Sequence, residues 1–91
     1  MQLKTKFPLG KVVATSGALD ALGAIEIGTL LSRHSFGDWG DSWEDNKEIN
    51  EQALKDGSRL LSSYKSSGGI KVYIITEAGR SATTVLLADE Y

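Results

Sequence analysis

His34 and two nearby aspartates, Asp38 and Asp41, are the residues of this sequence best suited to acid–base chemistry. Histidine has the side chain whose ordinary pKa lies closest to neutrality, and a neighbouring carboxylate can orient its ring or accept its proton. A histidine at a helix C-terminus more commonly interacts with the last carbonyl groups of the helix. We therefore predict no catalytic residue, and keep these three side chains as candidates for a small hydrolase or nuclease-like enzyme.

Metal and cofactor sites are not predicted. The chain has no cysteine and one histidine, so a transition-metal ion would depend almost entirely on carboxylates. Asp38, Asp41 and Asp45 lack the spacing of an EF-hand calcium loop, and no glycine-rich phosphate-binding motif is present. We expect neither a metal ion nor a cofactor.

An acidic segment, residues 38–51, separates charge within the chain. It contains six acids and one base, a net charge of −5, although the whole chain carries only −2. The remaining residues therefore carry +3. A chain with this overall charge is not expected to bind nucleic acid directly, because phosphate contacts need a cationic surface.

Two tryptophans lie within the acidic segment and allow two interpretations. They could be exposed aromatic contacts, surrounded by negative charge, for a basic protein partner. Alternatively they are buried and the acids are the solvated face of a helix, which the pattern favours. An acidic face could also mimic DNA phosphates in an anti-defence inhibitor. The candidate binding residues are Asp38, Trp39, Asp41, Trp43, Glu44 and Glu48.

The first third of the chain has the pattern of a strand and two short helices. Residues 11–15 are β-prone, and Thr15 or Ser16 is suited to begin a helix over residues 17–22 that Gly23 ends. Apolar residues repeating between Ile27 and Leu31 predict a second helix that ends near His34.

A third helix is predicted over residues 43–55. Ser42, followed by Asp45 three positions later, fits a helical N-cap with its acidic partner. Its buried side chains would be Ile49, Ala53 and Leu54.

The last third predicts an antiparallel meander. Residues 60–65 and 70–76 are strands around a Ser-Ser-Gly-Gly turn, and a third strand ends near Leu87. A two-residue loop at Ala78-Gly79 would place Val72 opposite Val85.

One α+β domain over residues 1–91 follows, in the order β-α-α-α-β-β-β. Its three-stranded meander would have the N-terminal strand added at an edge, two or three short helices would pack on it, and residues 1–9 would be flexible. The N-terminus lacks the apolar core of a signal peptide, and no apolar stretch approaches membrane-spanning length. We expect a cytoplasmic protein that does not associate with membranes.

Several stretches resemble a group of small uncharacterised proteins of bacterial plasmids, integrons and other mobile elements. The matching stretches are residues 10–15, 17–19, 33–34, 37–41, 57–64, 74–78, 80–81, 83–84 and 90–91. Ser16 stands where the pattern has proline, and Gly79 where it has an acid. The resemblance implies an accessory protein of mobile DNA and adds Glu77 and Arg80 as candidate surface residues.

The preferred prediction is a noncatalytic protein-interaction module. It would form a homodimer and use the acidic segment or an exposed strand edge to contact a protein partner. The hydrolase, the DNA-mimic inhibitor and a purely structural or regulatory domain are the alternatives.

Overall fold

In the computed structural model, residues 4–91 are described, and they form three helices and a four-stranded sheet. The helices are α1 (Ser16–Leu22), α2 (Ala24–Ser35) and α3 (Glu44–Asp56). The strands are β1 (Lys11–Ala14), β2 (Leu60–Lys65), β3 (Lys71–Thr76) and β4 (Ala82–Leu87). The predicted α+β class and element order are confirmed. The prediction of flexibility for residues 1–3 lies outside the described residues.

The sheet has the strand order β1-β4-β3-β2. Strands β2, β3 and β4 are antiparallel neighbours, whereas β1 adds to β4 in parallel. The predicted meander and its additional N-terminal strand are therefore both present.

The predicted pairing of β3 with β4 is wrong by two residues. Val72 lies opposite Leu87, not Val85, because the connection is a 3-10 turn, Ala78–Arg80, followed by Ser81. A shift of two residues leaves every side chain on its predicted face of the sheet.

Helices α1 and α2 cover one face of the sheet. Ala18, Ile27 and Leu30 pack there against a strand cluster of buried side chains: Tyr64, Val72, Ile74 and Val85. A second cluster joins Phe7, Trp39, Ala53 and Leu60. Phe7 thus ties the segment before β1 into the core, although it lies within the nine residues predicted to be flexible.

The predicted N-cap of α1 is confirmed, and that of α3 is wrong. The Thr15 hydroxyl accepts a hydrogen bond from the Ala18 backbone N–H at 3.0 Å, as an N-cap should. The predicted cap of α3 at Ser42 is wrong, because the N-cap position belongs to Trp43. The Ser42 hydroxyl instead donates to the Trp39 carbonyl at 2.7 Å and closes the preceding loop.

Ile49 is also misplaced by the sequence pattern. It is 60% exposed, because the side of α3 that faces the sheet is set by Asn46, Asn50 and Ala53. Asn50 is buried and pairs with both backbone groups of Leu61: its amide N–H donates to the carbonyl at 2.7 Å, and its amide oxygen accepts from the N–H at 3.1 Å. The Asn50 side chain therefore makes the hydrogen bonds with β2 that a further strand at its outer edge would make.

Within residues 4–91, no helix combines the length and the apolar character needed to cross a lipid bilayer.

Candidate functional site

His34 is fully buried and belongs to a chain of polar side chains under the sheet. Its Nδ1 lies 2.5 Å from the Ser62 hydroxyl and its Nε2 lies 2.9 Å from the Thr76 hydroxyl. Thr76 contacts Thr83 at 2.7 Å, and Thr83 donates to the Leu9 carbonyl at 2.7 Å. These contacts join α2, three strands and the segment before β1.

The hydrogen bond to the Leu9 carbonyl, at one end of this series of side chains, determines which ring nitrogen of His34 carries the proton. A carbonyl oxygen can only accept a hydrogen bond, so the Thr83 hydroxyl donates its single proton to Leu9. It must therefore accept a hydrogen bond from Thr76. Thr76 in turn must accept from the Nε2–H of His34. The ring is neutral, because burial and the nearby positive charge of Arg80 lower the pKa of His34 to about 4. Its Nδ1 therefore accepts the Ser62 hydroxyl proton.

Asp38 and Asp41 are not partners of His34. Asp38 forms a bidentate pair with Arg33, at 2.7 and 3.3 Å, and this pair is the one salt bridge within residues 4–91. The hydrogen bonds from Arg33 hold the pKa of Asp38 below its usual value. Asp41 is exposed, and its backbone N–H donates to the Ser63 carbonyl at 2.6 Å. The structure therefore does not bring the three acid–base candidates together in a pocket.

The two tryptophans of the acidic segment have opposite environments. Trp39 is 5% exposed, stacks on Phe7 with ring centroids 6.3 Å apart, and donates its indole N–H to Glu51 at 2.8 Å. Trp43 is 83% exposed. Burial is thus the right interpretation for Trp39, and exposure is the right one for Trp43.

Trp43 stands at the rim of a groove of about 330 Å³ between α3 and the sheet. One wall comes from the loop before α3 and from its first turns, with Asp41, Trp43, Asp45 and Ile49 among its residues. The opposite wall consists of sheet residues: Leu61, Ser63, Lys71 and Tyr73. Side chains of these strand residues point away from α1 and α2, because alternate positions fill the helix-covered core.

The groove combines apolar surface, charge and an unsatisfied polar group. Trp43 and Ile49 are large apolar side chains that are both exposed to solvent. Adjacent exposed residues of this size are uncommon on the surface of a typical monomer. The Ser63 hydroxyl is buried and has no hydrogen-bond partner among the residues that the structure describes. A buried hydroxyl without a partner carries a free-energy penalty that a ligand group could remove.

The ring of Tyr73, on the sheet wall, is contacted by the ring of Tyr91. The ring of Tyr91 meets it edge to face with centroids 5.5 Å apart, and the ammonium group of Lys71 lies 5.6 Å from its ring centroid. Arg59 lies over the Tyr91 ring and donates to its hydroxyl. The sheet wall is therefore an ordered aromatic and basic surface.

The other predicted binding residues lie outside the groove lining. Glu44 and Glu48 are exposed on α3. Glu77 is exposed before the β3–β4 turn, and its backbone N–H donates to the Ala82 carbonyl at 2.9 Å.

Arg80 supports the fold at the end of α3. Its guanidinium donates to the carbonyls of Ala53 and Ser58, at 2.7 and 2.5 Å, and lies 5.5 Å from the ring centroid of Phe7. Its backbone φ is +63°, which is unfavourable for any residue but glycine.

Substitution of Arg80 separates these two contributions. Arg80→Ala is expected to lower the free energy of unfolding by about 2 kcal/mol, because the charge-assisted hydrogen bonds to the carbonyls of Ala53, in the last turn of α3, and Ser58, just after it, are lost. Arg80→Gly loses the same contacts but removes the left-handed backbone penalty of about 1 kcal/mol. Urea denaturation should therefore rank wild type above Arg80→Gly and Arg80→Ala lowest; equal stability of the two variants would contradict this account.

Sequence reasoning missed the sheet wall of the groove. Lys71 and Tyr73 were predicted as strand residues without a functional assignment, and Ile49 was assigned to the core. Their alternation with buried Val72 and Ile74 is the signal that could have placed Lys71 and Tyr73 on a second, open face. No protein-family model, curated protein sequence or solved structure matches this chain.

Proposed function

We propose that this chain is a noncatalytic protein-interaction module whose binding site is the groove between α3 and the sheet. The observation that carries the proposal is Trp43, 83% exposed at the rim of an apolar groove. An exposed tryptophan beside a concave apolar surface is typical of the residues that dominate protein–protein binding energies.

The acidic rim indicates the chemistry of the partner. Asp41 and Asp45 line the groove, and Glu44 and Glu48 add exposed negative charge along α3. A complementary protein surface would place an apolar side chain against Trp43 and Ile49 and basic groups against these acids. The proposal includes the context implied by the resemblance: a cytoplasmic accessory protein of mobile DNA.

The alternative functions have less support. A hydrolase using His34 would need substrate and water to reach a ring that is fully buried and hydrogen-bonded at both nitrogens. A DNA mimic would need a dense array of free acids, whereas two of the six acids of the segment are engaged: Asp38 pairs with Arg33, and Glu51 accepts the Trp39 indole N–H.

Site-specific photo-crosslinking in bacterial cells tests the proposal. A photoreactive amino acid at position 43 is expected to yield a discrete protein adduct. The matched control is position 25, because Ile25 is a large apolar residue, 89% exposed, outside the groove. The adduct should be lost when Asp45→Lys is added. Identical adducts from both positions, or none from position 43, would reject the proposal.

A further inference from the structure

The groove has walls of opposite charge. Asp41 and Asp45 lie on the helix wall, and Lys71 lies on the sheet wall. This local arrangement reflects the whole chain, in which residues 38–51 carry −5 and the remainder carries +3. A surface that contains both signs side by side can be complementary to itself after a two-fold rotation.

Next to the sheet wall, two lysines form an unfavourable pair. Lys65 and Lys71 lie directly opposite each other on neighbouring strands, and both are exposed. Like charges at directly opposed positions destabilise a sheet. Within the described part of the chain neither lysine has a carboxylate within salt-bridge distance. An acidic surface placed over the pair would remove the repulsion.

The sheet wall continues into a row of mostly apolar residues, of which Ile75 is buried at 6% exposure. Leu61 lies beside Ile75, which lies beside Thr84 and then Val13, so one row crosses all four strands on the face opposite α1 and α2. Val13 is 42% exposed at the far end of this row. On this face of the sheet, apolar contact with a partner side chain is therefore made at the half-buried Leu61 and Tyr73, which line the groove.

We propose that the partner bound in the groove is a second copy of this chain, related by a two-fold axis; this inference rests on the proposed function of the groove. Trp43 of each copy packs against the sheet wall of the other, beside Leu61 and Tyr73. Asp45 of each copy faces Lys71 of the other. Both contacts are made twice, which closes the assembly as a dimer and leaves no free site for further addition.

Sedimentation velocity of the intact chain, with reciprocal charge reversal, tests the arrangement. Wild type is expected to be dimeric at about 100 µM, above the micromolar Kd that marks the weak end of standard interfaces. Asp45→Lys and Lys71→Glu should each weaken dimerisation by about tenfold or more, because every dimer then contains two like-charged contacts. Glu48→Lys, the same charge change on α3 outside the groove lining, should have a smaller effect.

Mixing the two variants gives the decisive result. In a dimer of one Asp45→Lys chain with one Lys71→Glu chain, both contacts pair opposite charges, so the mixture should dimerise as wild type does. The double variant Asp45→Lys/Lys71→Glu should also recover. The same pattern should weaken in high salt, which screens exposed charges.

The outcomes separate this inference from the proposed function. A wild-type monomer at about 100 µM, or mixed variants that do not recover, overturns the second copy as partner. If position 43 still crosslinks to another protein, the groove remains a binding site with a different occupant. Absence of both dimer and adduct rejects both proposals.

Discussion

Acidification from about pH 7 to about pH 4.5 is expected to lower the free energy of unfolding by about 2–3 kcal/mol through His34 alone. In the folded chain the pKa of His34 is about 4, against 6.5 for an ordinary histidine, because burial disfavours the charged ring and Arg80 is close. Between these values the unfolded state binds the additional proton. Stability therefore falls as the pH falls through 6.5 and stops falling, as far as this group is concerned, below about 4.

Chemical denaturation at a series of pH values measures this slope. His34→Gln, which removes the titrating ring, should flatten the dependence between pH 6.5 and 4. The pKa of Asp38 is lowered from 3.8 by the hydrogen bonds from Arg33, so Asp38 changes the stability mainly below the pH range in which His34 titrates. Its contribution is also the same in wild type and in His34→Gln. If the variant does not fold, an NMR titration of the His34 ring in wild type decides: a midpoint near 6.5 would refute the assignment.

Gly40→Ala is expected to destabilise the chain by about 3 kcal/mol, from a left-handed backbone penalty of 1–2 kcal/mol plus steric overlap. Gly40 has a φ of +71°, and a β-carbon there would overlap the Ser63 carbonyl and the Tyr64 ring. The close approach lets residues 39–41 pair with the outer edge of β2, where the Ser63 N–H donates to the Trp39 carbonyl at 3.3 Å.

Gly57→Ala is the matched control. Gly57 has a φ of +82° at the end of α3, but nothing lies within 4 Å of the position a β-carbon would take. This variant should be destabilised by the left-handed backbone penalty alone, about 1–2 kcal/mol. Thermal or urea denaturation compares the two, and equal losses would show that the overlap at Gly40 is relieved by small shifts of its neighbours.

Local periodicity was enough to predict the elements of the fold. The β-branched run in 71–76 and the Ser-Ser-Gly-Gly turn before it placed the hairpin with 60–65, and Gly23 marked a helix end. These signals act within a few residues and need no tertiary contact. The β3–β4 register was wrong because Arg80 adopts a left-handed conformation fixed by contacts with the end of α3, which no short-range rule anticipates.

The candidate site was predicted only in part. Asp41 and Trp43 were identified from the acidic segment, but their pairing with Lys71 and Tyr73 depends on where α3 packs beside β2. That position is set by the Asn50–Leu61 hydrogen bonds, and an asparagine in a polar helix gives no warning of it. His34 was misleading for a related reason: its partners, Ser62 and Thr76, lie on strands far along the chain.

Within residues 4–91, the asparagine pairing at Leu61 and the backbone pairing at Ser63 leave the sheet open at the side of β1. Fibre growth by strand addition requires each molecule to offer two edges, one to receive a neighbour and one to extend to the next. Two molecules that met edge to edge through β1 would each use the open edge that residues 4–91 offer, so such an encounter ends at a pair and does not propagate into an amyloid-like stack.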